Sequence, residues 1–279
     1  VSDRKETDIP VLRIVPAQAI TLHEEVDQRR VKPLVEKLSQ DGVLKNPPIA
    51  ALLPQTDRYV ILDGANRTTA LWKMEAPHHL LQVVDYADVV LDTWDHLIVG
   101  LTEEEFETRR EEVGLFLIQT DDREAAQRDL ASRRVSAILT APPDDVCVLG
   151  HGGNLAVEAA DLRKLVSIYS GRSAIHRVKV NSLAELLPYY DNVTALIQFP
   201  RYTPADILAL ANDGDKLPTG ITRHVIPRRA LRVNFPTSVL MDPQLNTADK
   251  QCWLDHWIKE KLAKRQIRYY QESTFLFDE

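Results

Sequence analysis

Cysteine is almost missing: Cys147 and Cys252 are the two in 279 residues, far apart and in no metal-binding spacing. That excludes a disulfide scaffold and a cysteine-built zinc site as the organising device of the fold. The eight histidines form no zinc pattern, and the adjacent His78 and His79 would point apart on a strand or a helix. No apolar run approaches a membrane-spanning length and none reads as a secretion signal. Reduced thiols, a cytoplasmic location and no membrane partner are therefore expected. A basic excess is lacking too: 34 Lys and Arg stand against 41 Asp and Glu, a net charge of −7. That argues against an extended nucleic-acid surface. Gly-x-x-x-x-Gly-Lys-Ser/Thr, Gly-x-Gly-x-x-Gly and Gly-x-Ser-x-Gly are all absent, which removes the commonest phosphate loops and the hydrolase elbow.

What is present suits a soluble α/β protein, 44% hydrophobic and 27% charged. Short apolar runs predict strands at Val11–Val15, Ile49–Leu53, Tyr59–Leu62, Leu80–Tyr86, Val89–Val99, Val113–Gln119, Val135–Leu139, Asp144–Leu149, Ile175–Val180, Val193–Phe199, Ile221–Ile226 and Leu231–Phe235. Helical spacing or caps predict helices from Val31, Ala65, Thr102, Asp121, Glu158, Ser182 and Thr203, and a long polar one over Gln244–Gln271. In that last helix Trp253 and Trp257 read as packing anchors. Residues 1–10 read as loose, and His151-Gly152-Gly153 as a loop. The division expected is residues 1–100, 101–240 and 241–279: a first unit, a second α/β unit, and a C-terminal helical extension.

Four polar clusters sit at the ends of elements. In Ile61-Leu62-Asp63-Gly64-Ala65-Asn66-Arg67-Thr68 a buried strand hands over to a helix. Unpaired N–H groups and partial positive charge at a helix start suit a phosphate, and Arg67 can grip one bidentately. The alternative is a corner closed by an Asp63–Arg67 salt bridge. His23-Glu24-Glu25 offers a carboxylate for general-base work, or a helix-start acid. Thr93-Trp94-Asp95-His96 offers an indole to stack on a small substrate, or a core tryptophan. Gly220-Ile221-Thr222-Arg223-His224 offers a hydroxyl and a planar guanidinium, or an exposed strand.

Together these clusters, with Leu217-Pro218-Thr219-Gly220 and Arg229-Ala230-Leu231-Arg232-Val233-Asn234, resemble the free serine kinases of the ParB/sulfiredoxin superfamily over roughly residues 11 to 240. The resemblance implies a ParB/sulfiredoxin-like first domain that binds ATP or ADP with Mg²⁺ through Asp63, Gly64, Ala65, Asn66, Arg67 and Thr68. It implies Glu24 as the base that takes the serine hydroxyl proton, with Asp63 assisting at the phosphate or its magnesium. Trp94, His96, Thr222, Arg223 and His224 would then form the amino-acid side of the site. The family motif has histidine where this chain has Asn66; asparagine donates a hydrogen bond but carries no charge and shuttles no proton. The function expected is phosphoryl transfer to free L-serine, giving O-phosphoserine. The alternative is a nucleotide- or ligand-responsive regulator that kept the fold, for which DNA would be a partner. A nuclease has less support, since no acid cluster for two metals is evident, and sulfiredoxin chemistry lacks a cysteine near the motif.

Overall fold

A computed structural model describes residues 9–150, 152–180 and 182–270; what was expected of residues 1–8, His151 and Gln271 lies outside the described residues. The first elements are β1 (Val11–Pro16), β2 (Ile20–Leu22), α1 (Gln28–Asp41), β3 (Val43–Leu44), β4 (Ile49–Leu52), β5 (Tyr59–Asp63), α2 (Ala65–Lys73) and β6 (His78–Val84). Five of the strands form a mixed sheet in the order β1-β6-β4-β5-β2. The strands predicted at Ile49–Leu53 and Tyr59–Leu62 pair as a hairpin, with Leu52 opposite Tyr59 and Ala51 opposite Val60. β5 is apolar without interruption because it is covered on both sides. Val60 and Leu62 face one cluster, and Tyr59 and Ile61 face another with Leu22, Ala50 and Ala65.

Two short strands follow, β7 (Val90–Thr93) and β8 (Asp95–Val99). One strand over Val89–Val99 was expected; the chain instead changes partner at Trp94. β7 pairs with a later strand, while β8 enters a second sheet. The break is fixed by the Trp94 N–H, which donates to the Ile221 carbonyl at 2.7 Å.

The second sheet is built from α3 (Glu103–Glu112), β9 (Leu117–Gln119), α4 (Arg123–Ala131), β10 (Val135–Ala141), β11 (Asp145–Gly150), α5 (Leu155–Tyr169), β12 (Ala174–Val178), α6 (Leu183–Leu186), β13 (Val193–Gln198) and α7 (Pro204–Asp213). Its order is β12-β8-β13-β10-β11-β9, with every neighbouring pair antiparallel. α3 and α7 start with reciprocal caps, Thr102 with Glu105 and Thr203 with Asp206. The strand predicted from Val113 starts only at Leu117. Val113, Gly114 and Leu115 wind down α3, their N–H groups returning to the Arg109, Glu111 and Arg110 carbonyls. Sequence spacing could not separate this helix end from a strand start.

The last elements are β14 (Thr222–Val225), β15 (Phe235–Pro236), α8 (Thr237–Met241) and α9 (Thr247–Ala263). β14 lies antiparallel to β7, with Thr222 opposite Thr93. Of the strand expected at Leu231–Phe235 only Phe235 is extended into β15: Arg232 and Asn234 take φ of 52° and 53°, which breaks an extended run. The C-terminal helix is shorter than Gln244–Gln271. Asn246 caps its start, accepting from the Asp249 N–H at 3.0 Å, and it ends at Ala263.

The two sheets share a core. Ile49, Val60 and Leu62 of the first pack in one cluster with Ile98, Leu139, Leu165 and Tyr169 of the second unit. A separate cluster joins Val31, Leu38, Leu44 and Leu71 to Phe235, Leu240 and Leu254, so the C-terminal segment returns to the first sheet. Trp253 and Trp257 pack there as anchors, with ring centroids 5.1 and 6.0 Å from Phe235.

Candidate functional site

β5 ends in Asp63, and Gly64 turns the chain into α2 with φ of 94°. The turn leaves no room for a side chain: a Cβ there would lie 2.9 Å from Arg67 Nη2 and 3.1 Å from the Pro48 Cα. Arg67 therefore folds back over the turn. Its Nη1 donates to the Asn46 carbonyl at 2.8 Å, and its Nη2 reaches Asp63 Oδ2 at 3.4 Å. Arg229 reaches the same oxygen at 2.5 Å. Burial alone would raise the Asp63 pKa, but Arg67 and Arg229 together hold the carboxyl below its ordinary range. The salt-bridged corner, one of the two readings of this stretch, is what the structure contains. The ion pair is present, and it fixes two guanidinium groups beside the start of α2. In the first turn of that helix, Asn66 Oδ1 and Thr68 Oγ1 are buried without a hydrogen-bond partner among the described residues. Orphaned polar atoms at a helix start fit an added polar group.

Glu24 follows β2 and is held by the loop before β14. The Leu217 N–H donates to the His23 carbonyl at 2.9 Å, and the Glu25 N–H donates to the Leu217 carbonyl at 2.7 Å. The Gly220 N–H donates to Glu24 Oε2 at 3.4 Å. Loss of water around Glu24 drives its pKa up to about 7, against the opposing pull of the Gly220 N–H and Arg177. A carboxyl poised near neutrality is what a general base needs.

The two ends face one cleft of about 400 Å³. Its acids are Glu24 and Asp63; its cations are Arg177, Arg223 and Arg229. Trp94, Gly220, Thr222 and His224 complete its polar wall. Arg223 lies over the Trp94 ring, 4.4 Å from the centroid, and 3.7 Å from Asp92. Stacking and charge hold that fork in place. His224 lines the wall with its ring engaged: Nε2 accepts from the Tyr86 hydroxyl at 2.8 Å, and burial lowers its pKa to about 3.

Of the residues singled out in the sequence, Glu24, Asp63, Trp94, Thr222, Arg223 and His224 come together on this cleft. His96 does not line it. It is 2% exposed, its Nε2 donates to the Gly220 carbonyl at 3.1 Å, and its Nδ1 accepts from the Tyr169 hydroxyl at 2.9 Å. Its part is to hold Gly220. Ala65 and Thr68 are buried in α2, and Gly64 and Arg67 stand at the corner behind Asp63. Sequence reasoning missed Arg177 altogether and gave Arg229 no role. Arg229 stands in a basic pair after Pro227, and Arg177 in a strand that looks solvated; neither carries a local motif.

Among the described residues no group of three or more His, Cys, Asp or Glu side chains is arranged to hold a metal ion, and no helix is long and apolar enough to cross a membrane.

No family model matches the chain. It is 23% identical to the ATP-dependent L-serine kinase SbnI of Staphylococcus aureus over 271 residues, 96% of this chain and 97% of that protein. It is 24% identical to the ADP-dependent L-serine kinase SerK of Thermococcus kodakarensis, over 79% of this chain and 90% of that one. A free serine kinase solved in complex with AMP superposes with a TM-score of 0.71 at 20% identity, covering 84% of this chain and 97% of that chain. C-terminally truncated SbnI superposes with a TM-score of 0.68 over 91% of this chain. The mixed α/β architecture described above is therefore the fold of these serine kinases.

Proposed function

We propose that the protein is a free L-serine kinase, with a ParB/sulfiredoxin-like first unit, that transfers a phosphoryl group from ATP or ADP to the serine hydroxyl. The observation that carries the reading is the pairing, across one cleft, of Glu24 near pKa 7 with an Asp63 corner that holds two arginines. Phosphoryl transfer asks for in-line positioning and neutralisation of charge rather than covalent help. Arg67, Arg229 and the first turn of α2 would receive the phosphates. Asn66 supplies hydrogen bonding there without charge. Glu24, ionised, accepts the hydroxyl proton as the serine oxygen forms its bond to phosphorus. Thr222 and Trp94 shape the acceptor side.

Magnesium fits this site only as a companion of the nucleotide. The cleft supplies Asp63, already engaged by two guanidinium groups, so phosphate oxygens and water would furnish most of the coordination. Its chemistry there is to offset phosphate charge.

The test is to incubate the protein with L-serine, Mg²⁺ and either ATP or ADP, and to follow O-phosphoserine by mass spectrometry. Product with one of the two nucleotides, lost on Glu24→Gln, is expected. Removing a general base costs about 10²–10⁴ in rate. No product with either nucleotide sinks the reading.

A further inference from the structure

Three arginines line the cleft and a fourth, Arg67, stands behind Asp63; three of the four are engaged. Arg67 is tied to Asp63 and the Asn46 carbonyl, and Arg229 to Asp63 and the His224 carbonyl. Arg223 is stacked on Trp94 and drawn to Asp92. Arg177 lines the cleft with no hydrogen bond or ion pair to any of the described residues.

Its position is nonetheless defined. Arg177 sits on β12, an edge strand of the second sheet, directly opposite His96 of β8. His96 holds the Gly220 carbonyl, and the Arg177 guanidinium lies against Gly220 itself. A Cβ on Gly220 would come within 2.4 Å of Nη2, and Gly220 takes φ of 86°. The N–H of that same glycine points to Glu24 Oε2. One glycine backbone thus separates this guanidinium from the proposed base, whose ionised form its charge favours. The phosphate end, at Asp63 and Arg67, belongs to the first sheet and already has its cations.

We propose that Arg177 binds the α-carboxylate of the acceptor and so restricts the reaction to free hydroxy amino acids, as against amino alcohols or serine within a peptide. This rests on the serine-kinase reading above. In a hydroxy amino acid the hydroxyl and the carboxylate branch from neighbouring carbons, so a hydroxyl presented to Glu24 carries its carboxylate a few ångströms away. A guanidinium fork matches a carboxylate with two parallel hydrogen bonds. Gly220 is the residue that gives the fork its place, because any side chain there would displace it.

The experiment compares L-serine with L-serinamide, which keeps the hydroxyl and the amine and replaces the carboxylate by a neutral amide. Wild type, Arg177→Ala and Arg177→Lys are assayed for phosphorylation and, separately, titrated calorimetrically with each acceptor. Wild type is expected to prefer L-serine. Arg177→Ala should raise the KM for L-serine roughly 10–100-fold, the value of a charge-assisted hydrogen-bond pair. It should leave the nucleotide KM within about 2-fold and bring the two acceptors close to parity, with Arg177→Lys in between. The Arg177 side chain is exposed and makes no hydrogen bond to the described residues, so the melting temperature should not move. A retained preference for L-serine in Arg177→Ala, or a rise in nucleotide KM in its place, overturns the proposal. The titrations separate the two readings. Binding of L-serine that depends on Arg177, without O-phosphoserine formed, keeps the anchor and removes the kinase. Wild type that neither binds nor phosphorylates L-serine removes both.

Discussion

The Thr222 hydroxyl donates to His23 Nε2 across 3.0 Å. The direction is set from the far side of the ring, where His23 Nδ1 lies 2.7 Å from the Ile61 carbonyl. A carbonyl only accepts, so Nδ1 carries the ring proton. Burial lowers the His23 pKa to about 4, which leaves Nε2 as an acceptor. The same hydroxyl lies 3.5 Å from Glu24 Oε2, an oxygen that also accepts from the Gly220 N–H. The raised Glu24 pKa comes from burial, working against that N–H.

Activity should therefore follow a single acid limb. Glu24 must be ionised to accept a proton, so kcat/KM should fall as pH drops below about 7. His23 and His224 stay neutral through that range, since burial lowers them to about 4 and about 3. A pH–rate profile from 5.5 to 8.5 reads this, and a profile flat across neutrality contradicts it. Stability carries the opposite sign. A carboxyl raised from 4.5 to about 7 on folding binds its proton more tightly in the native state. Its contribution to stability is full below pH 4.5 and is lost as pH rises through 7. Glu24→Gln should accordingly be the more stable protein at pH 8, by about 1–2 kcal/mol, with the difference shrinking toward pH 5 in denaturant titrations.

Gly64→Ala tests the corner. The new methyl group meets Arg67 Nη2 and the Pro48 backbone at a positive φ, a strain of about 1–3 kcal/mol. The arginine yields more readily than the backbone, so Arg67 should move off Asp63. Nucleotide titrations should show affinity reduced by roughly tenfold, while the KM for L-serine stays within about 2-fold. An unchanged nucleotide affinity would mean that Arg67 has no part in holding phosphate.

Gln82 tests the support of Arg229. Its side chain is 2% exposed and clasps the segment that carries that arginine. Nε2 donates to the Arg228 carbonyl at 2.5 Å, and Oε1 accepts from the Ala230 N–H at 2.8 Å. Gln82→Leu keeps the volume and removes both bonds, at a cost of about 1–3 kcal/mol for the stranded backbone groups. Arg229 then loses its fixed approach to Asp63. The expected outcome is a raised nucleotide KM with the L-serine KM little changed, measured by steady-state kinetics beside thermal melting.

Legibility in the sequence followed locality. Asp63, Gly64 and Arg67 sit in one contiguous stretch, and their geometry is decided within it and by Asn46 and Pro48 nearby. Capped helices such as those from Thr102 and Thr203 were equally readable, because the cap and its partner lie three residues apart. Arg177 and Arg229 were not, since each acquires meaning only from a residue far along the chain: Gly220 for the first, Asp63 for the second. His96 misled for the same reason. Its ring is occupied by Tyr169 and Gly220, and nothing near it in sequence announces either. The break at Trp94 is a tertiary event too, forced by the Ile221 carbonyl.

The pairing of β7 with β14 has a further consequence. The chain leaves the first sheet along Val90–Thr93 and comes back along Thr222–Val225, beside its own outgoing path. The chain between is joined to the first sheet by this two-stranded ladder and by the core that the two sheets share. A ladder of backbone hydrogen bonds resists twisting and sliding more than it resists bending across its face. Trp94, at the far end of the outgoing strand, and Thr222, at the start of the returning one, therefore travel as a pair. Whatever displaces one of these two strands relative to Asp63 therefore displaces the indole and the hydroxyl together.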